Sequence, residues 1–192
     1  MNTPNSRWDD FIAIDFETAT RAKESAVSIG LVQFRNFKPI ASFYSLIQPP
    51  RLYIRPDFTE IHGLTLDDVK DVPTFGEIWD RAVNPFINGL PLAAHHARFD
   101  IGILKAILEW YGLEIPELRY FCTCTLARRI WPDFGSYSLG SLAEKFGIVY
   151  DAHNALDDAM TCGKLVRLAA DKFGCVSVGD LLDVADMKMN DI

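Results

Sequence analysis

Phe11-Ile12-Ala13-Ile14-Asp15-Phe16-Glu17-Thr18 is the stretch whose reading decides the fold. Its β-branched and aromatic residues predict a strand over Phe11–Asp15. Side chains alternate across a strand, so Phe11, Ala13, Asp15 and Glu17 share one face while Ile12, Ile14 and Phe16 line the other. A strand apolar on both faces belongs inside a sheet covered on both sides. This one ends by presenting two carboxylates toward a single spot. Taken alone, that pair fits equally well a strand whose last residues simply enter water.

Two further strands are predicted outward from it, at Ala26–Phe34 and at Ile40–Ile47, the latter stopped by Pro49-Pro50. From Pro56 to Gly89 the pattern turns helical, with Phe75, Ile78, Trp79 and Ala82 at helical spacing. A short strand at Leu90–Ala94, a helix over Ala97–Tyr111 and a strand near Tyr120–Cys122 follow. Helices are then expected near Cys124–Ile130, Ser138–Phe146 and Asn154–Phe173. Strands first, then alternating helices and strands, predict an α/β fold: a mixed five-stranded sheet flanked by helices on both faces.

With 192 residues and no repeat or linker, the chain reads as a single domain, 1–192, with a core at about 9–175 and a short helical tail. The apolar runs Phe11–Ile14 and Pro91–Ala94 are too short to span a bilayer. Met1–Asp10 is polar and acidic, unlike a targeting segment, so a soluble cytoplasmic protein with no membrane association is expected. Cys122, Cys124, Cys162 and Cys175 lack zinc-site spacing and are expected to be reduced and mostly buried. A net charge of −7 argues against a protein that coats duplex DNA, and leaves room for one that grips a strand end locally.

Asp100 stands out in the predicted Ala97–Tyr111 helix. Its neighbours at i+3, i+4, i+7 and i+8 are Ile103, Leu104, Ile107 and Leu108, which puts this acid on the inward stripe. An ionised carboxylate there must be paired, bound to metal or protonated. Asp158 repeats the pattern, with Thr161, Cys162, Leu165 and Val166 at the same steps. Asp157 reaches a more polar boundary and reads as a solvated cap residue. His153 falls on the loop before this helix, with Asn154 as a candidate N-cap. A lone histidine is ordinarily a surface or hydrogen-bonded residue; its company makes this one a candidate base. Inward carboxylates without matching cations repel strongly in a low-dielectric cleft, and divalent ions relieve that. All-oxygen ligation points to Mg²⁺ or Mn²⁺, and acids spread over three elements suit two ions.

Ile14-Asp15-Phe16-Glu17-Thr18, Ala94-His95-His96-Ala97-Arg98-Phe99-Asp100 and His153-Asn154-Ala155-Leu156-Asp157-Asp158-Ala159 together resemble the three exonuclease motifs of the DEDDh group. The chain is similar over about residues 9–170 to the family of the DNA polymerase III epsilon proofreading subunit. The resemblance implies a ribonuclease H-like fold and 3′→5′ exonuclease activity that releases nucleoside 5′-monophosphates from DNA 3′ ends. It implies that Asp15, Glu17, Asp100 and Asp158 hold two Mg²⁺ or Mn²⁺ ions and that His153 is the general base. It further implies that Ile61 and His62 pack against the terminal base and that the main chain around Phe16 and Thr18 holds the 3′ hydroxyl. His96 stands where the family usually has an asparagine that helps hold substrate, next to Phe99 of the same motif. After the first motif, Thr18-Ala19-Thr20 replaces the common Thr-Gly.

Two other readings stay open at this level: an RNA 3′→5′ exoribonuclease using the same site, and a non-catalytic module that binds strand ends or a replication partner. Homodimerisation or association with a polymerase is also left open. Trp79, Trp110 and Trp131 are expected in the core. Tyr137 is either a stacking platform or a loop anchor. Arg128 and Arg129 read as a solvated basic pair. No Ser/His/Asp or Cys/His nucleophile set is present.

Overall fold

The structure, a computed structural model, describes residues 9–192; residues 1–8, most of the polar start, lie outside the described residues. Strands β1 (Asp10–Thr18), β2 (Ala26–Arg35) and β3 (Lys38–Leu46) form an antiparallel meander. Short helical pieces follow: α1 (Pro56–His62), α2 (Leu66–Val69), α3 (Phe75–Ile78), a π turn (Trp79–Val83) and α4 (Asn84–Ile87). Strand β4 (Leu92–Ala94) then runs parallel to β1, and helix α5 (Arg98–Trp110) carries the chain to β5 (Arg119–Cys122), parallel to β4. Helices α6 (Thr123–Ile130), α7 (Leu139–Phe146), α8 (Ala155–Phe173) and α9 (Val178–Val184) precede β6 (Asn190–Asp191), antiparallel to β5. The sheet order is β3-β2-β1-β4-β5-β6.

The mixed α/β sheet matches expectation, but among the described residues it has six strands rather than five. The added strand lies in the tail read as helical, and a two-residue pairing is too short to leave an alternating pattern. The Pro56–Gly89 region is also not one helical run. Reciprocal Thr65/Asp68 and Thr74/Glu77 capping boxes start α2 and α3 afresh after each interruption.

The two faces of β1 feed separate cores, as its alternation requires. Ile12, Ile14 and Phe16 pack with Phe75, Trp79, Ile103, Leu104, Ile107 and Leu108. Phe11 and Ala13 pack with Phe34, Leu126, Cys162, Val166 and Leu181 on the opposite face. Each Ile, Leu, Val or Phe side chain among them is worth about 1.5–3 kcal/mol on burial. Trp79 is buried and Trp131 packs against Phe134 and Phe146, but Trp110 is 49% exposed. It falls off the inward stripe of α5 at the helix's last position, which corrects its expected place in the core.

Helix α8 lies unusually close to the sheet. A Cβ on Gly30 would collide with the Ala155 backbone, and one on Gly163 with the Phe34 ring. Missing side chains at those two points let the helix settle onto β2. Among the described residues, no helix is long and apolar enough to cross a membrane.

Candidate active site

Gly30 is the cross-strand partner of Asp15, so the space it leaves admits the first turn of α8 beside the end of β1. That approach brings Asp158 over the strand. Asn154 caps α8, its Oδ1 accepting from the N–H groups of Leu156 (3.1 Å) and Asp157 (3.4 Å). Just before the cap, His153 takes φ 66°, a left-handed conformation uncommon without glycine. That turn lets its N–H donate to Asp158 Oδ2 at 3.0 Å while the ring stays at the surface. Glu17, His153 and Asp158 offer ligand atoms that all lie within 4.8 Å of one another.

Asp100 arrives from α5. It is 1% exposed, and its Oδ1 accepts the Phe16 N–H at 3.2 Å, which ties the helix to β1. The i+3, i+4, i+7 and i+8 neighbours of both Asp100 and Asp158 are buried, as the helical spacing predicts. Asp157 instead accepts the Asp151 N–H at 2.9 Å and stays on the cap.

Burial, then repulsion from Asp100, Asp158 and Glu17, holds the Asp15 carboxyl well above the usual range. Asp100 is raised in the same way, chiefly by burial. Glu17 is pushed up to about 8 by burial and by Asp158 and Asp100, and Asp158 to about 6, mainly by burial. No Lys or Arg forms an ion pair with any of the four among the described residues. This donor set, hard oxygens in excess of protein cations, fits divalent metal ions.

The predicted substrate contacts surround this cluster unevenly. Ile61 and Phe99 are about half exposed, on α1 and the first turn of α5. His62 is a latch: its Nε2–H donates to the Thr18 carbonyl (3.1 Å) and its Nδ1 accepts the Leu64 N–H (3.1 Å). Burial lowers its pKa, in keeping with that neutral tautomer. The Phe16 N–H and Thr18 carbonyl therefore already have protein partners. His96 sits exposed at φ 64°, in the turn from β4 to α5. A cavity of about 310 Å³ runs between the end of α1 and the His153 loop, lined by Ile61, His62, Tyr44 and His153. Sequence reading missed the His62 latch and the glycine contacts, because neither leaves a periodic signal.

A second cluster of ligand-type residues, His95, His96 and Cys124, lies nearby. Both ring nitrogens of His95 are already engaged, by Thr123 Oγ1 (3.0 Å) and the Tyr137 carbonyl (2.8 Å), and burial pushes its pKa down to about 4. Tyr137 donates its hydroxyl to the Trp131 carbonyl (2.7 Å) under the Arg128 guanidinium. That makes it the loop anchor rather than a stacking platform.

A mixed sheet in this order, with an acid cluster where β1 meets α5 and α8, is a ribonuclease H-like fold. A family model described as Exonuclease (RNase_T) matches residues 12–166, and the chain belongs to that family. It is 37% identical over 160 residues to the DNA polymerase III subunit epsilon of Treponema pallidum, covering 81% of this chain and 74% of that protein. It is 26% identical over 183 residues to the PolC-type DNA polymerase III of Caldanaerobacter subterraneus, covering 94% of this chain but only 13% of that much longer protein. Among solved structures, the nuclease domain of 3′hExo, a DEDDh family member bound to rAMP, superposes with a TM-score of 0.76 at 16% identity. That match covers 96% of this chain and 98% of the other. The protein is thus an enzyme of the DEDDh 3′→5′ exonuclease type, a family that uses divalent metal ions.

Proposed function

We propose that this chain removes nucleoside 5′-monophosphates one at a time from DNA 3′ ends, working as a single domain with two Mg²⁺ or Mn²⁺ ions. One observation carries the reading: four converging carboxyls, all displaced upward chiefly by desolvation, with no Lys or Arg among the described residues paired to any of them. Asp15, Glu17, Asp100 and Asp158 are the groups that hold the ions. Bound there, the ions supply charge neutralisation at the phosphate and a lower pKa for the attacking water. His153 faces Glu17 and Asp158 on a surface turn and takes the proton of that water. Asp158 fixes the His153 backbone, so the base and a metal ligand are positioned by one hydrogen bond. Ile61 and Phe99 present apolar surface to the terminal base, His62 shapes the end of β1, and His96 takes the role of the family's usual asparagine.

The epsilon relative, which this chain largely spans, favours DNA over RNA and supports work beside a polymerase. Labelled single-stranded DNA and RNA oligomers incubated with Mg²⁺ or Mn²⁺ test this directly. A one-nucleotide ladder is expected on DNA, and Asp15→Asn is expected to abolish it while the fold survives. Hydrolysis unchanged in Asp15→Asn would refute the site, and faster trimming of RNA would reverse the substrate assignment.

A further inference from the structure

On a chain of net charge −7, positive charge gathers along one ridge of α5. Arg98, Gly102 and Lys105 stand at i, i+4 and i+7 and so share a helix face. Gly102 has no side chain, and Lys23 fills the space over it. The Lys23 Nζ lies 3.2 Å from where a Cβ on Gly102 would stand, and its Cε lies at 3.4 Å. Lys23 comes from the β1–β2 loop, whose shape is fixed by the Ser25 hydroxyl. That hydroxyl donates to the Ala22 carbonyl at 2.6 Å and accepts the Thr20 N–H at 3.1 Å. A foreign loop therefore inserts a third cation between two that the helix already carries, over about 10 Å of its length.

None of the three has a carboxylate partner within 4 Å among the described residues; Glu24 and Glu109, the nearest acids in sequence, pair with neither lysine. Like charges held this close raise one another's energy, and a bound polyanion offsets that. The ridge also has a direction. Arg98 adjoins Phe99, which is 54% exposed, and the next residue is Asp100 of the acid cluster. It therefore runs from the mouth of the site outward along α5.

We infer that the Arg98–Lys23–Lys105 ridge is a track for the phosphate backbone of a single-stranded nucleic acid, holding up to three phosphates on the 5′ side of the terminal nucleotide. This rests on the exonuclease reading for its direction, and an acidic peptide is the rival occupant. Each phosphate contact on a single strand contributes about −0.7 to the slope of log affinity against log salt. Removing three cations should flatten that slope by about 2, which makes affinity about 20-fold less sensitive to a rise from 50 to 200 mM salt.

The test compares Lys23→Ala/Arg98→Ala/Lys105→Ala with the unsubstituted ridge, both carrying Asp158→Asn to prevent cutting. Anisotropy of fluorescein-labelled dT20 is read in Mg²⁺ across that salt range, with melting temperatures as a check on folding. A flattened slope is expected. Equal slopes, no binding by either protein, or tighter binding of poly-glutamate than of dT20 would each overturn the track. With Asp158 restored, the loss in kcat/KM should be carried by KM and should grow from dinucleotide to 20-mer. A loss in kcat equal at both lengths would place these residues at the chemistry instead. If the parent enzyme cuts nothing, the exonuclease reading falls, while the binding slopes still decide the ridge.

Discussion

Two corners of this molecule carry histidines beside metal-ligand chemistry, and they behave oppositely. At one, Glu17, His153 and Asp158 converge within 4.8 Å; at the other, His95, His96 and Cys124 do the same. Each contains a histidine with positive φ, His153 at 66° and His96 at 64°. The difference lies in what the polar atoms already have. His95 is buried with both nitrogens hydrogen-bonded inside the protein, whereas the His153 ring is at the surface beside acids that have no Lys or Arg partner among the described residues. Clustering of ligand-type residues is therefore a weak signal, and unsatisfied chemistry is the stronger one.

Breaking each corner should give opposite readouts. At the open corner, His153→Ala is expected to lower kcat by about 10²–10⁴-fold, the usual worth of a general base, with little change in melting temperature. At the closed corner, His95→Ala should cost about 1–3 kcal/mol of stability by stranding buried partners, seen in denaturant melts. Its activity loss should track the unfolded fraction. If His95→Ala were folded yet inactive, the two corners would not be separable in this way.

pH sharpens the contrast with a smaller effect. Glu17 and Asp158 sit at about 8 and about 6 in the folded chain, both above their ordinary carboxyl values. Between those ordinary values and the folded ones, the native state holds more protons than the unfolded state, so stability falls as pH rises. The contribution is complete below about pH 4 and is lost through pH 6 to 8. Metal-free protein should therefore melt lower at pH 8 than at pH 5, and Glu17→Gln should weaken that dependence. Saturating Mg²⁺ or Mn²⁺, binding only the native state, should raise the pH 8 melting point most. A flat metal-free profile would contradict the repulsion described here.

Much of this was legible in the sequence, for identifiable reasons. Alternation in β1 and the 3.6-residue spacing around Asp100 and Asp158 are local signals, and each acid is buried where its stripe placed it. The choice of Asp158 over Asp157 as the inward acid followed from the same arithmetic. What stayed hidden depends on chain segments far apart: the edge strand β6, the His62 latch on Thr18, and Lys23 lying over Gly102. Trp110 misled because hydrophobic company in sequence does not fix which way a helix's last residue faces.

The absent side chains at Gly30 and Gly163 have a consequence for how this enzyme can vary. They set the altitude of α8 above the sheet, and with it the gap between Asp158 and Asp15. A single methyl at either point would lift the helix like a shim under a hinge and widen the aperture between acids that are themselves unaltered. Calibration of the blade thus resides in two atoms that are not there, beneath the helix that carries one of the acids.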